Sequence, residues 1–126
     1  MRSVSKGIEV PIVDAPKRRW KRVKVDIRVR LRRWEEPEEN SSVVRTYELS
    51  EGGMSVYASE TLEIGTALLV EMALPGAPKP LRLRTMVKNR RGFRCGMEFV
   101  ELPASERSEI VRYLAAAEGV VDILEI

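Results

Sequence analysis

The sequence predicts an all-β protein of six short antiparallel strands, a sandwich or closed barrel, with a barrel and one C-terminal helix as the expected architecture. Three observations lead there. Val23, Val25, Ile27, Val29 and Leu31 alternate strictly with Lys24, Asp26, Arg28 and Arg30, which is the period of a strand with one face on a core. Short apolar runs then recur down to Leu102, separated by Gly and Pro turn signals and with no helical spacing between them. After Pro103 the spacing changes to that of a helix.

Taken in order, residues 1–16 mix apolar and polar residues without period and are interrupted by Pro11 and Pro16, as in a leader arm lying across the barrel. The first strand follows from Val23. Trp34–Ser42 is acidic, contains Pro37 and reads as an exposed connection. A second strand is expected over Val43–Ser50, with Tyr47 and Leu49 inward, and Glu51-Gly52-Gly53 makes the next turn. Met54–Ala58, Ala67–Leu74, Leu81–Asn89 and Phe93–Leu102 supply the remaining strands, the last with Phe93, Cys95, Met97 and Phe99 on one face. Met54, Met72, Met86 and Met97 are expected to fill the core. Ser105 is expected to cap a helix carrying Ile110, Val111, Leu114 and Ala117 inward, and Gly119 to end it. The expected organisation is a leader arm over residues 1–17, a barrel with its helix over 18–118, and an apolar tail over 119–126.

The chain of 126 residues has no histidine and one cysteine. This excludes Ser-His and Cys-His nucleophilic schemes and an internal disulfide, and it removes most transition-metal sites. No phosphate-cradling glycine loop is present, so an enzyme is not expected. No run is long and apolar enough to span a membrane, and the N-terminus lacks a secretory pattern, so the expected address is cytoplasmic. Charge is unevenly placed. Lys17–Arg33 holds ten basic residues and one acid, a local +9 in a chain of net +3, which leaves −6 for the remainder. A basic segment on an acidic body points to a localised anion site.

Two short motifs narrow this reading. Arg18-Arg19-Trp20-Lys21-Arg22 contains RxxxR just ahead of the first strand, and Glu48-Leu49-Ser50-Glu51-Gly52-Gly53 ends the second. The latter is similar to a [D/N]xSxxG signature, with Glu48 in place of the usual Asp or Asn. Together with Gly65, Ala73-Leu74-Pro75 and Cys95-Gly96-Met97-Glu98-Phe99, these motifs make residues 17–114 resemble the PilZ domain family. That resemblance implies a six-stranded barrel, bacterial second-messenger signalling and cyclic di-GMP as the ligand. It assigns ligand binding to Arg18, Arg19, Arg22, Glu48, Ser50, Gly52 and Gly53, with the arginines on phosphates and guanine edges. The residue types suit the task, because arginine's planar fork matches phosphate oxygens and the O6/N7 edge of guanine. Trp20 has two readings, stacking on a guanine or an arginine, or pinning the leader to the barrel.

The resemblance further implies a receptor in which the ligand orders the N-terminal arginine segment and alters contacts with a downstream protein partner. The alternative is a degenerate adaptor that binds no nucleotide and acts through protein contacts. Glu48 and the apolar tail Val121–Ile126 favour the latter. The extra methylene of Glu48 displaces the carboxylate, and a misplaced polar contact costs about 1–3 kcal/mol, roughly ten- to hundredfold in affinity. A nucleic-acid-binding barrel is disfavoured by the acidic remainder and by having only seven aromatic residues to stack bases. No DNA or RNA partner and no membrane insertion are expected.

Overall fold

The computed structural model describes the backbone of residues 21–125 and the side chains of residues 21–117. Six strands, β1 (Val23–Arg33), β2 (Ser42–Leu49), β3 (Gly53–Tyr57), β4 (Ala67–Met72), β5 (Leu81–Arg91) and β6 (Arg94–Phe99), are followed by the helix α1 (Ala104–Glu125). All pairings are antiparallel, and the ring β1-β2-β3-β6-β5-β4 closes on itself. This is the barrel with one C-terminal helix that the periodicity predicts. The predicted leader arm, and with it Arg18, Arg19 and Trp20, lies outside the described residues.

Alternation fills the interior. Val29 and Leu31 from β1, Val56 from β3, Val70 from β4 and Leu83 and Val87 from β5 are all buried. Each such side chain contributes about 1.5–3 kcal/mol by leaving water. Ile110 and Leu114 of α1 join the same core, with Tyr113 and Ala117 partly buried beside them. The helix packs against β1 and β5. Arg112 holds it to the Pro75–Pro80 loop by donating to the Gly76 carbonyl at 3.1 Å. The connections use glycine where the chain turns through positive φ, as at Gly92 (φ 61°) between β5 and β6.

Several expectations fail for identifiable reasons. Tyr47 is only half-buried, and Thr46 takes the inward place instead, because a bulge shifts the β2–β3 register between Thr46 and Glu48. Phe93 is 70% exposed because it belongs to the β5–β6 turn, not to β6. Met86 is half-buried on the outward side of β5, where Leu83, Thr85 and Val87 point in. Val111 is exposed, since Ile110 and Leu114 define the buried stripe. Ser105 is inside α1, not at its cap, and hydrogen-bonds Glu106. The helix continues through Gly119 to Glu125, as a single glycine costs a helix only about 1 kcal/mol relative to alanine.

Two buried hydroxyls behave differently. Thr85 donates to the Leu68 carbonyl at 3.1 Å, whereas Thr46 Oγ1 is buried without a hydrogen-bond partner. A buried hydroxyl left unpaired carries its desolvation cost in full. Thr46→Val is therefore expected to stabilise the domain by about 1 kcal/mol, read as a raised midpoint in urea with unchanged slope. A lowered midpoint would mean that Thr46 has a partner after all. Cys95 is buried, and burial pushes its thiol above the usual range, opposed in part by the charge of Arg90. It is a core residue without a thiolate's reactivity.

Candidate functional site

One broad cleft of about 570 Å³ opens on the outer surface of β2, β3, β6 and β5. Its floor follows from residue size. Along β3 the inward residues Met54 and Val56 alternate with Gly53, Ser55 and Tyr57, which face out. Ser55 is paired in register with Gly96 of β6, and the Asn89 amide lies over Gly96, 2.6 Å from where a Cβ there would stand. Gly53 pairs with Glu98, and a Cβ at Gly53 would stand 2.1 Å from the Met97 carbonyl oxygen. Glycine is required there by the close approach of β3 to β6.

The walls come from two bulges. At the Thr46/Glu48 bulge, Tyr47 and Glu48 both leave the interior and both line the cleft. Opposite them, the Val87/Asn89 bulge puts Lys88 and Asn89 on the outside together, and both line the cleft. Bulges re-aim side chains in this way beside functional sites.

The β2–β3 turn forms one end. Ser50 N donates to the Gly53 carbonyl at 2.9 Å. Ser50 Oγ accepts from Gly52 N at 3.1 Å and Gly53 N at 3.2 Å, and donates to the Gly53 carbonyl at 3.3 Å. These bonds occupy the hydroxyl's donor and both its lone pairs, so Ser50 holds the turn in shape. Phe99 N donates to the Gly52 carbonyl at 2.9 Å, which ties the turn to the end of β6. Glu51 reaches Arg107 of α1 at 3.3 Å, joining the turn to the helix.

The cleft is cationic. Arg22, Lys88, Arg91 and Arg94 face only two carboxylates, Glu48 and Glu98. Arg22 pairs with Glu48 at 3.4 Å and Lys88 with Glu98 at 3.5 Å. The Arg94 guanidinium lies 5.7 Å from the centre of the Tyr47 ring, which in turn stacks on Tyr57 at 4.5 Å with a 33° tilt. Among the described residues no group of His, Cys, Asp and Glu could hold a metal ion.

Of the residues singled out from the sequence, the structure brings Arg22, Glu48, Ser50, Gly52 and Gly53 to this one cleft. Tyr47, Lys88, Asn89, Arg91 and Arg94 were missed. A signal for them exists: Gly96 is an outward-facing glycine in an otherwise well-alternating strand, next to the basic turn Arg90-Arg91-Gly92-Phe93-Arg94. The outward residues Arg28, Arg30 and Arg32 of β1 do not line the cleft, and their neighbours are Arg45, Ser41 and the Glu36 carbonyl.

Comparison with known proteins agrees with this geometry. The PilZ domain family matches residues 16–116. The chain is similar in fold to the PilZ domain of CeSA from a cellulose-synthesizing bacterium, with a TM-score of 0.59 and 18% identity over 79% of this chain and 97% of that one. It is similar to the PilZ domain of YcgR from Escherichia coli, solved with c-di-GMP, with a TM-score of 0.64 and 16% identity over 83% and 94%. The inhibitor of motility MotI/DgrA from Bacillus subtilis gives 0.62 and 18% over 77% of this chain but only 48% of that one. A comparison with curated proteins gives no match. With four-fifths of its length matched and a closed six-stranded barrel, the chain belongs to the PilZ domain family, whose members are ligand-binding receptor and adaptor modules and not enzymes.

Proposed function

We propose that this protein is a cyclic di-GMP receptor that binds the ligand in the cleft between β2, β3, β5 and β6. The observation that carries the reading is the 3.4 Å approach of Arg22, the second arginine of RxxxR, to Glu48, the first residue of the other motif. Two motifs 26 residues apart in the chain serve one site. Arg22, with Arg18 and Arg19 before it, supplies guanidinium forks for phosphate and guanine edges. Glu48 accepts from the N1–H and N2–H groups of a guanine. Ser50 keeps Gly52 and Gly53 positioned as the close-approach end of the cleft, and Trp20 is available to stack on a base.

In this reading ligand binding orders the arginine segment ahead of Arg22 against the cleft, and the change is passed on as a conformational switch. The Glu51–Arg107 ion pair supports transmission from the turn to α1, and thence to a downstream protein partner. The site of action is the cytoplasm, where a nucleotide second messenger is made and sensed. Among the described residues, no helix is long and apolar enough to cross a membrane.

A second reading also rests on the Arg22–Glu48 pair. If the longer Glu48 side chain satisfies Arg22 internally, the protein is an adaptor without a nucleotide. Calorimetric titration with cyclic di-GMP, with GTP and cyclic di-AMP as controls, separates the two. Selective binding at micromolar affinity or better is expected, and Glu48→Asp is expected to tighten it on the order of tenfold by removing the surplus methylene. Absence of binding in the folded wild type, with binding appearing only in Glu48→Asp, would establish the adaptor reading.

A further inference from the structure

Cyclic di-GMP carries two phosphodiesters and therefore two negative charges on opposite sides of its ring. Arg22 meets the cleft from the Glu48 side. On the other side stand Arg91 at the end of β5 and Arg94 at the start of β6. The two carboxylates of the cleft are already engaged, Glu48 by Arg22 and Glu98 by Lys88. Neither Arg91 nor Arg94 has an acidic partner among the described residues, and Arg94 has settled over the Tyr47 ring. The cleft thus holds two uncompensated positive charges, equal and opposite to the charge of a cyclic dinucleotide.

Their placement adds to this. Arg91 and Arg94 are directly opposite in the β5–β6 register. Like charges facing across a strand pair destabilise a sheet, and an anion between them removes that cost. The adjoining floor pairs Ser55 with Gly96, and the Asn89 amide lies over that glycine.

From these observations we infer that Arg91 and Arg94 are specificity-determining residues. They take one phosphodiester of the dinucleotide from the β5–β6 side, while Arg22 faces the other from the Glu48 side. The inference rests on the cleft being the cyclic di-GMP site and adds the residues that make it select a ligand with two separated phosphates.

The test is the double variant Arg91→Gln/Arg94→Gln, titrated with cyclic di-GMP at about 0.15 M salt, where charges beyond roughly 8 Å are largely screened. Affinity is expected to fall on the order of ten- to hundredfold, the loss typical of charge-assisted hydrogen bonds. The thermal midpoint without ligand is expected to stay the same or rise, because a like-charge pair has gone. The control is Arg28→Gln/Arg82→Gln, which removes the same charge from residues that do not line the cleft and is expected to bind within about twofold of wild type. Wild-type affinity in the cleft variant overturns the inference, as does an equal loss in the control, which would show a general field and not contact. A wild type that binds no cyclic di-GMP at all overturns the receptor reading itself, and the wild-type titration alone reveals it.

Discussion

Replacing Arg22 by alanine is expected to weaken cyclic di-GMP binding by about a hundredfold while leaving the fold intact. Two losses combine. The guanidinium's charge-assisted hydrogen bonds to the ligand disappear, each worth about 1.5–3 kcal/mol. The Glu48 carboxylate, held 3.4 Å from Arg22 in the free protein, is then left uncompensated at the mouth of the cleft and repels the phosphates. Stability changes little, because the pair is partly exposed, at 41% and 22% for the two side chains, and such pairs contribute about 0–1 kcal/mol. In the double variant Arg22→Ala/Glu48→Gln the repulsion is gone, but so is one of the two acceptor oxygens that meet guanine's N1–H and N2–H, so affinity is expected to stay at or below that of Arg22→Ala. Calorimetry on the two variants checks this. Wild-type affinity in Arg22→Ala would remove the observation on which the receptor reading stands.

The largest effect on stability is expected at Gly53. A methyl group there would sit 2.1 Å from the Met97 carbonyl oxygen, 3.1 Å from its carbon and 3.2 Å from Glu98 Cα. All three are backbone atoms of the paired strand, so no rotamer change can relieve the clash, and β3 must move away from β6. Overpacking of this kind costs about 3 kcal/mol, which in a domain of this size lowers the thermal midpoint by roughly 10 °C. Gly65→Ala makes an instructive comparison, because its Cβ meets nothing within 4 Å and the penalty is only that of a positive φ, 95°. That variant is expected to lose about 1 kcal/mol. Thermal denaturation of both would show the difference, and a Gly53→Ala protein as stable as Gly65→Ala would mean that the strands are not so closely apposed. Gly53 also lies at the close-approach end of the cleft. Its glycine is fixed first by the barrel.

The strands were legible in the sequence because the core imposes a period of two, and β1 displays it without interruption from Val23 to Leu31. The cleft was half legible. Arg22, Glu48 and the Ser50–Gly53 turn are marked by motifs, each a short contiguous signal. The opposite wall is not contiguous with them and depends on bulges at Thr46/Glu48 and Val87/Asn89. A bulge adds one residue to one strand and is set by how that strand meets its partner, so strict alternation assigns Tyr47 to the interior when it lies outside. Phe93 misled for a related reason: an apolar residue beside a turn looks like the first residue of a strand. The helix was found by its apolar spacing, but its length was not, because Gly119 weakens a helix without ending it.

Closure of the ring has a mechanical consequence for the cleft. In an open sheet an outer strand can slide along its neighbour by two residues and keep its apolar face inward. Here β1 is bonded on both sides, to β2 and to β4, so a slide at one seam would have to be taken up by every other seam in turn. The cleft's floor spans β3 and β6, in the middle of that chain of constraints, and cannot widen by shear. Adjustment to a ligand is left to side-chain rotation at Arg22, Tyr47, Asn89, Arg91 and Arg94.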